Sequence, residues 1–577
     1  MKYYNQLISI LSFKQKKSFI ILIFLMLISV SLEILTLNSL FLLLNFFTSP
    51  ESIFDNKMFV YLKNIDQSYF NHINLILVFF IIFLLKTIFS IIIIYKENSF
   101  INNSRAEISN DFFKGYLYMP RIFHLRTNTS ETTKNITTEI DIFIAALLSV
   151  STITLEVFVL IGLVMFLFFV NYKITLLSFL SLFVFSILLS YLNTKKILSL
   201  GKERVKLTQL RLKNILEGLS GAKIFTLTGS NDKIIDDFKK TNNQLAKNNI
   251  INNFRNGIPR PLFELFILLL VLIFLFFFIK NDNSFKNLIP TLGVFLTAAY
   301  RLAPSFGRIL TNIQKFQYNI AAAKKLYIDK EKFKKQNNNK IYLKKAIFRK
   351  EITIQNLSFS YDKNLNNEKN FVLKNLNFSI KPNQKIGIIG ESGSGKSTLL
   401  DILMGISEPQ FGEILVDNTN LSEIKDNWYK KIGCVPQEVF VLDDSLKKNI
   451  AFGLSNDQIE IDKVLRAIDL ANLSELKENL KYGIDNLVGE KGSRLSGGQR
   501  QRIGIARALY NNPDILFFDE ATNSLDIESE KKIIDEIFNK QINKTIIFVS
   551  HKKENLKYCD IIYEVKEKKL IKIYEKR

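Results

Sequence analysis

Cysteine is nearly absent: Cys434 and Cys559 are the only two in 577 residues. A disulfide framework is therefore excluded as the basis of the fold, and a reducing cytoplasm is the expected setting for this part of the chain. Also missing is a small-residue cleavage motif behind MKYYNQLISILSFKQKK, which leads into about thirty apolar residues. That stretch reads as a retained membrane span and not as a signal peptide. Clustered glycine and proline are lacking from the polar stretches 96–141 and 193–256, so the apolar helices that enter them are expected to continue far outside the membrane. Acidic residues are in deficit, 54 against 77 basic, for a net charge of +23. Nucleic acid and anionic lipid would both suit such an excess, but beside long Ile/Leu/Phe runs it fits cytoplasmic loops enriched in Lys and Arg.

What is present divides the chain in two, and the length alone excludes one compact domain. Residues 1–327 are expected to form an α-helical membrane domain, 328–350 a basic Asn-rich linker, and 351–577 a soluble α/β domain. Six spans are expected: about Ser18–Phe47, Ile73–Tyr95, Ile142–Val170, Ile174–Leu192, Pro261–Ile279 and Leu288–Leu302. Lys14, Lys16 and Lys17 precede the first span and many basic residues follow Lys195, whereas the connections near 48–72, 171–173 and 280–287 are short or poor in them. Both termini are thus expected on the cytoplasmic side. Between the first two spans, Phe54, Met58, Leu62, Ile65 and Tyr69 recur at helical spacing. This stripe, about 50–70, suits a helix on the outer membrane surface or one capping the spans.

The soluble half carries phosphate chemistry. After the strand-like KIGIIG comes GESGSGKST, so Gly390, Glu391, Ser392, Gly393, Ser394, Gly395, Lys396, Ser397 and Thr398 satisfy G-x-x-x-x-G-K-[ST]. Glycines let backbone N–H groups wrap phosphates at a helix N-terminus; Lys396 reaches the β- and γ-phosphates and Ser397 can hold Mg²⁺. Downstream, ILFFDE is an apolar strand ending in Asp519, placed for Mg²⁺, and Glu520, placed to orient or deprotonate a water. Between them RLSGGQRQR puts Ser496, Gly497, Gly498 and Gln499 at the opening of a helix, a second anion-favouring N-terminus.

LSGGQ resembles the signature sequence of ATP-binding-cassette proteins, and other motifs of that family follow in order. Tyr361 in FSYD is similar to the aromatic residue that stacks on adenine, and Gln437 in VPQE to the residue linking Mg²⁺ to the membrane domain. Ser524, Leu525 and Asp526 resemble the loop that crosses the dimer interface, His551 in FVSH the γ-phosphate switch, and Gly489–Gly492 a contact with the coupling loops. Stretches 119–141 and 216–232 are similar to the intracellular loops of ABC exporters. The resemblance implies an ABC exporter fold, a half-transporter acting as a homodimer, and ATP hydrolysis with Mg²⁺, with Lys396, Gln437, Glu520 and His551 as catalytic residues. It places the protein in the bacterial inner membrane.

The cargo is argued from charges inside the spans. Lys86 and Arg301 both lie about 20 Å from the outer ends of their spans by helical rise, and Arg260 lies near the inner edge of the fifth. Three cations suggest an anionic cargo such as a diphosphate head group. Glu33, Glu156 and Glu264 occur at similar depths, so paired structural charges are the competing reading. The membrane half is also similar to the PglK-type flippases for lipid-linked oligosaccharides of protein N-glycosylation. That likeness implies a polyprenyl-diphosphate oligosaccharide bound through Lys86, Arg260 and Arg301 and moved to the outer leaflet. Export of lipid A, peptide or hydrophobic drugs is the alternative within transport, and an ATP-gated channel the alternative outside it. A nucleic-acid ATPase is disfavoured by the six spans.

Overall fold

The computed structural model describes residues 7–48, 72–170, 172–280, 289–337, 346–362, 371–522, 526–540 and 543–576. The chain forms two compact units. One comprises Met1–Met119 with Arg126–Asn338; the other comprises Pro120–Leu125 with Asn339–Arg577.

The first unit is helical: α1 (Phe13–Thr48), α2 (His72–Leu117), α3 (Ile140–Val170), α4 (Tyr172–Ser220), α5 (Asn231–Gly257), α6 (Pro259–Lys280) and α7 (Ile289–Asn337), joined in places by shorter turns. Among the described residues, 5 helices are long and apolar enough to cross a membrane. The expected sixth span, 288–302, falls at the start of α7, with Leu288 outside the described residues; the outer stripe at 50–70 lies outside the described residues as well. Helices α2 and α4 have 46 and 49 residues. At about 1.5 Å per residue each is roughly 70 Å long, more than twice the ~30 Å hydrocarbon core, so the polar stretches do continue the spans. The expected linker differs, since α7 keeps helical structure through Asn337. Its sequence there, DKEKFKKQ, is polar but made of good helix formers.

Two features hold the long helices in register. Gly201 of α4 lies so close to α7 that a Cβ would meet the Tyr318 carbonyl oxygen at 2.3 Å. Around this crossing Ile197, Leu200 and Tyr318 are buried together, and the Arg204 guanidinium lies over the Tyr318 ring, 4.8 Å from its centroid. The second is a buried charge cluster at the π-helical turn Asn135–Glu139. Lys134 and Arg204 lie 3.6 and 3.9 Å from the Glu139 carboxylate, which is fully buried. Tyr116 and Asn135 both bond Asp329 close by.

The second unit has two sheets. Strands β1 (Ile352–Phe359), β2 (Leu373–Ile380), β4 (Phe411–Val416) and β5 (Thr419–Asn420) form an antiparallel sheet in the order β2-β1-β4-β5. The other sheet runs β10-β9-β3-β8-β7-β6, where β3 is Lys385–Gly390, β6 Ile432–Val435, β7 Ile515–Asp519, β8 Thr545–Val549, β9 Ile561–Lys566 and β10 Lys569–Glu575. Strands β9, β3, β8, β7 and β6 are mutually parallel. Their near-continuous apolar sequences suit a sheet buried on both faces, and Leu516, Phe518, Ile546 and Phe548 face one core while Ile515, Phe517, Ile547 and Val549 face another.

Substituting Gly201→Ala tests the close crossing. The added methyl should force α4 and α7 apart at a cost of about 1–3 kcal/mol, lowering the unfolding temperature of the solubilised full chain by several degrees. Gly257→Ala is the control, because its Cβ would meet nothing within 4 Å, and it should leave the unfolding temperature unchanged.

Candidate functional site

The site gathers at one edge of the parallel sheet, where β3, β8, β7 and β6 all end. From β3 the chain turns through Gly390–Gly395 into the helix Lys396–Leu403. Gly393 and Gly395 have φ of +79° and +106°, backbone that L side chains rarely adopt, so glycine is required for the loop to curl back on itself. The Lys396 ammonium lies inside that curl, donating to the carbonyls of Gly390 and Glu391 at 3.0 and 2.9 Å. Burial holds it below its usual pKa, against the opposing pull of Glu520 and Asp519. Ser397 donates to Asp519 Oδ1 at 3.0 Å. The Tyr361 hydroxyl is 2.9 Å from Thr398 Oγ1, bringing the aromatic ring to the first turn of the helix.

Glu520 follows β7 with φ of +50°, a conformation that costs on the order of 1–3 kcal/mol and persists where surroundings enforce it. Its N–H bonds the Val549 carbonyl of β8 at 3.2 Å. The carboxylate is held on both sides: His551 Nε2 is 2.7 Å from Oε1, and Gln437 Nε2 donates to Oε2 at 3.0 Å. Lys396 Nζ lies 3.8 Å from Oε1. Neighbouring Asp519 has its pKa raised by burial, with the Ser397 hydrogen bond opposing. Thus Lys396, Ser397, Gln437, Asp519, Glu520 and His551, dispersed over the sequence, are brought to one place.

Ser496–Gln499 stand apart. Ser496 caps the helix Gly497–Tyr510 with a reciprocal box: its hydroxyl accepts from the Gln499 N–H at 3.1 Å, and its own N–H donates to Gln499 Oε1 at 2.8 Å. With Gly497 and Gly498 they line a cleft of about 500 Å³ shared with Arg502 and Asp526. None of the residues around Lys396 lines it. Asp526 caps the next helix, accepting from the Ser529 N–H at 2.9 Å, and this bond holds its carboxyl below the usual range. Ser524 and Leu525 lie outside the described residues. Gly489 and Gly492 have φ of +79° and +68°; the first precedes and the second closes a single 3-10 turn, Glu490–Gly492.

One contact was not anticipated from sequence. The short helix Arg121–Arg126 belongs with the soluble unit through Pro120–Leu125, and Arg121 reaches Asp401, behind the phosphate loop, at 2.9 Å. Ile122 packs beside it against the soluble core. Burial pushes the Asp401 carboxyl up to about 6, although Arg121 pulls it down.

In the membrane unit two of the three predicted cations have described carboxylate neighbours. Lys86 Nζ is 3.9 Å from Glu33 Oε1, and Arg260 Nε is 3.0 Å from Glu264 Oε1, one turn along α6. The Arg260 side chain is 76% exposed in the single chain and Lys86 25%. Arg301 lies in α7, with its side chain outside the described residues. Glu156 pairs instead with Arg308, at 2.6 Å, a cation that sequence reasoning missed even though it follows Arg301 by two helical turns.

Known proteins share both halves. The family model for the ABC transporter transmembrane region matches residues 19–299 and that for the ABC transporter matches 373–523. The chain is 30% identical over 498 residues to an ATP-dependent lipid A-core flippase of Coxiella burnetii, covering 83% of this chain and 80% of that protein. It is 36% identical over 224 residues to ABC transporter B family member 21 of Arabidopsis thaliana, covering 39% of this chain and only 17% of that protein. Among solved structures, a bacterial Atm1-family ABC exporter with ATP bound superposes with a TM-score of 0.75, covering 96% of this chain and 94% of the other at 20% identity. At that identity the likeness is one of fold.

Asp401 gives the site a pH signature. The folded chain holds its proton until about pH 6, whereas an unfolded aspartate releases it near 3.9. Its contribution to stability is therefore present at low pH and lost as pH rises through about 6. Asp401→Asn should remove this dependence: the unfolding temperature of the variant relative to wild type should climb between about pH 4 and 6 and level off above.

Proposed function

This chain belongs to the ABC transporter family, as an exporter-type half-transporter with its own ATPase domain, and from that premise we propose that it is an ATP-driven flippase for a lipid-anchored anionic substrate. The substrate put forward is a polyprenyl-diphosphate oligosaccharide, moved from the inner to the outer leaflet. The protein would work as a homodimer in the bacterial inner membrane, with both termini and the cassettes on the cytoplasmic side.

The observation that carries the hydrolytic part is the fixed Glu520 carboxylate, gripped by His551 and Gln437 beside Lys396. Backbone N–H groups of Gly390–Gly395, with Glu391, Ser392 and Ser394 completing the loop, would bind the phosphates, and Tyr361 would lie against adenine. Lys396 would exchange its two carbonyl partners for β- and γ-phosphate oxygens. Glu520 would orient and deprotonate the attacking water, and His551 would contact the γ-phosphate. Ser397 and Asp519 suit Mg²⁺, since two hard oxygen donors lie 3.0 Å apart, and Gln437 adds an amide oxygen. When bound, that ion neutralises phosphate charge. Ser496, Gly497, Gly498, Gln499 and Asp526, lining their own cleft, would complete the site of a second copy.

The likeness to a lipid A-core flippase, which extends over 80% of that protein, supports a lipid-anchored cargo; the diphosphate oligosaccharide is put forward from the cations in the spans and the PglK-type resemblance of the sequence, and matches confined to the cassette say nothing about cargo. Lys86, Arg260 and Arg301 would meet the diphosphate. Arg260 keeps guanidinium donors beyond the one that Glu264 accepts, and an exposed pair of this kind costs little to rearrange. The same similarity favours a second reading, lipid A export, in which phosphorylated sugars meet the same cations.

Two measurements test this. Glu520→Gln should lower ATP turnover by about 10²–10⁴-fold while nucleotide binding persists. In liposomes, wild-type protein should flip a polyprenyl-diphosphate glycan with ATP, and Arg260→Ala should weaken its stimulation of turnover. Flipping of lipid A alone would establish the second reading, and an ATPase-active sample that flips neither would refute the cargo assignment.

A further inference from the structure

At the end of their apolar runs, on the side that the proposed function makes cytoplasmic, a reading on which this inference rests, α1 and α2 enclose a cleft of about 590 Å³, within the roughly 300–1,000 Å³ of small-molecule sites. The two helices run antiparallel, in a register fixed by Phe19 against Phe100, 5.6 Å apart, and by Lys14, 3.9 Å from Glu107. On the membrane side the lining is apolar, Ile21 and Leu25; around and beyond Phe100 it becomes Ser18, Ser99 and Asn103, with Lys96 at the junction. Tyr95 is 69% exposed, and a Tyr–Lys pair closing an apolar run marks the level of lipid head groups.

Lys96 makes no ion pair among the described residues. The acid that lines the cleft, Glu107, comes three helical turns later, about 16 Å away, and is engaged by Gln15 at 2.9 Å as well as by Lys14. Lys16 adds positive charge on the adjoining turn of α1, and burial beside Lys16 and Lys334 holds Lys330 below its usual pKa.

We infer that this cleft binds an anionic phospholipid of the cytoplasmic leaflet. The phosphate sits at Lys96, with Ser18, Ser99 and Asn103 supplying hydroxyl and amide donors, and one acyl chain follows Ile21 and Leu25. A soluble anion would have no use for the apolar wall, and a neutral lipid none for the uncompensated lysine. Basic pockets between spans on the cytoplasmic side recognise lipid head groups in this manner. Although Lys86 also lies on α2, neither it nor Arg260 lines this cleft, so its occupant is a resident lipid and not the cargo.

The test is native mass spectrometry of the full chain, counting phosphatidylglycerol and phosphatidylcholine retained on titration, with basal ATP turnover confirming that each variant is folded. Wild type should prefer phosphatidylglycerol. Lys96→Gln should weaken it about fivefold with phosphatidylcholine unchanged, and Ser99→Glu should do the same by repelling the phosphate. Lys17→Gln, outside the cleft, should have no such effect. An equal loss with Lys17→Gln would show general attraction to a basic surface and overturn the inference, as would displacement of phosphatidylglycerol by millimolar inorganic phosphate or an unchanged count in both cleft variants.

Discussion

A parallel strand can deliver its C-terminal loop to only one edge of its sheet, and the chemistry of this protein depends on that constraint. Strands β3, β8, β7 and β6 are neighbours and point the same way. Their ends therefore present the phosphate loop, His551, the Asp519–Glu520 pair and the Gln437 loop side by side, although these span about 160 residues of sequence. The hydrogen bond from Glu520 N–H to Val549 ties the strained residue to the neighbouring strand, so the carboxylate is positioned by the sheet itself. Its partners then fix its two oxygens. Such preorganisation lets a carboxylate act on a water without first paying to order itself.

The same constraint explains why the other part of the proposed nucleotide site stands elsewhere. Ser496–Gln499 begin a helix in another part of the unit, with their cap fully satisfied within the chain and a cleft of their own. A site that needs both N-termini is then one that two chains make together, as the proposed homodimer requires.

Much of this was legible in the sequence because loop residues after apolar strands announce themselves: GESGSGKST after KIGIIG, DE after ILFF, H after TIIFVS. The long helical stalks were legible for the opposite reason, an absence of breakers. Less accessible was the pairing of membrane charges. Where a helix is apolar all round, periodicity does not say which face a lysine occupies, so depth alone left Glu33, Glu156 and Glu264 as partners for the cations; the fold gives Glu33 to Lys86 and Glu156 to Arg308. The Arg121–Asp401 pair was invisible because it joins residues 280 apart through a six-residue helix. The buried Lys134–Glu139–Arg204 cluster arises from a π turn that no local pattern predicts. Removing one member of such a cluster leaves a buried charge uncompensated, which makes it a rigid element of the stalk.

The central claim is that each ATP site joins the phosphate loop of one copy to the signature loop of the other. Mixed dimers test it most directly, with Lys396→Ala in one chain and Ser496→Arg in the other. Each substitution alone, present in both chains, should abolish ATP turnover. In the mixed dimer one site would pair an intact phosphate loop with an intact signature loop, and turnover should return to a substantial fraction of wild type. A mixed dimer as inactive as the two parent homodimers would contradict the account.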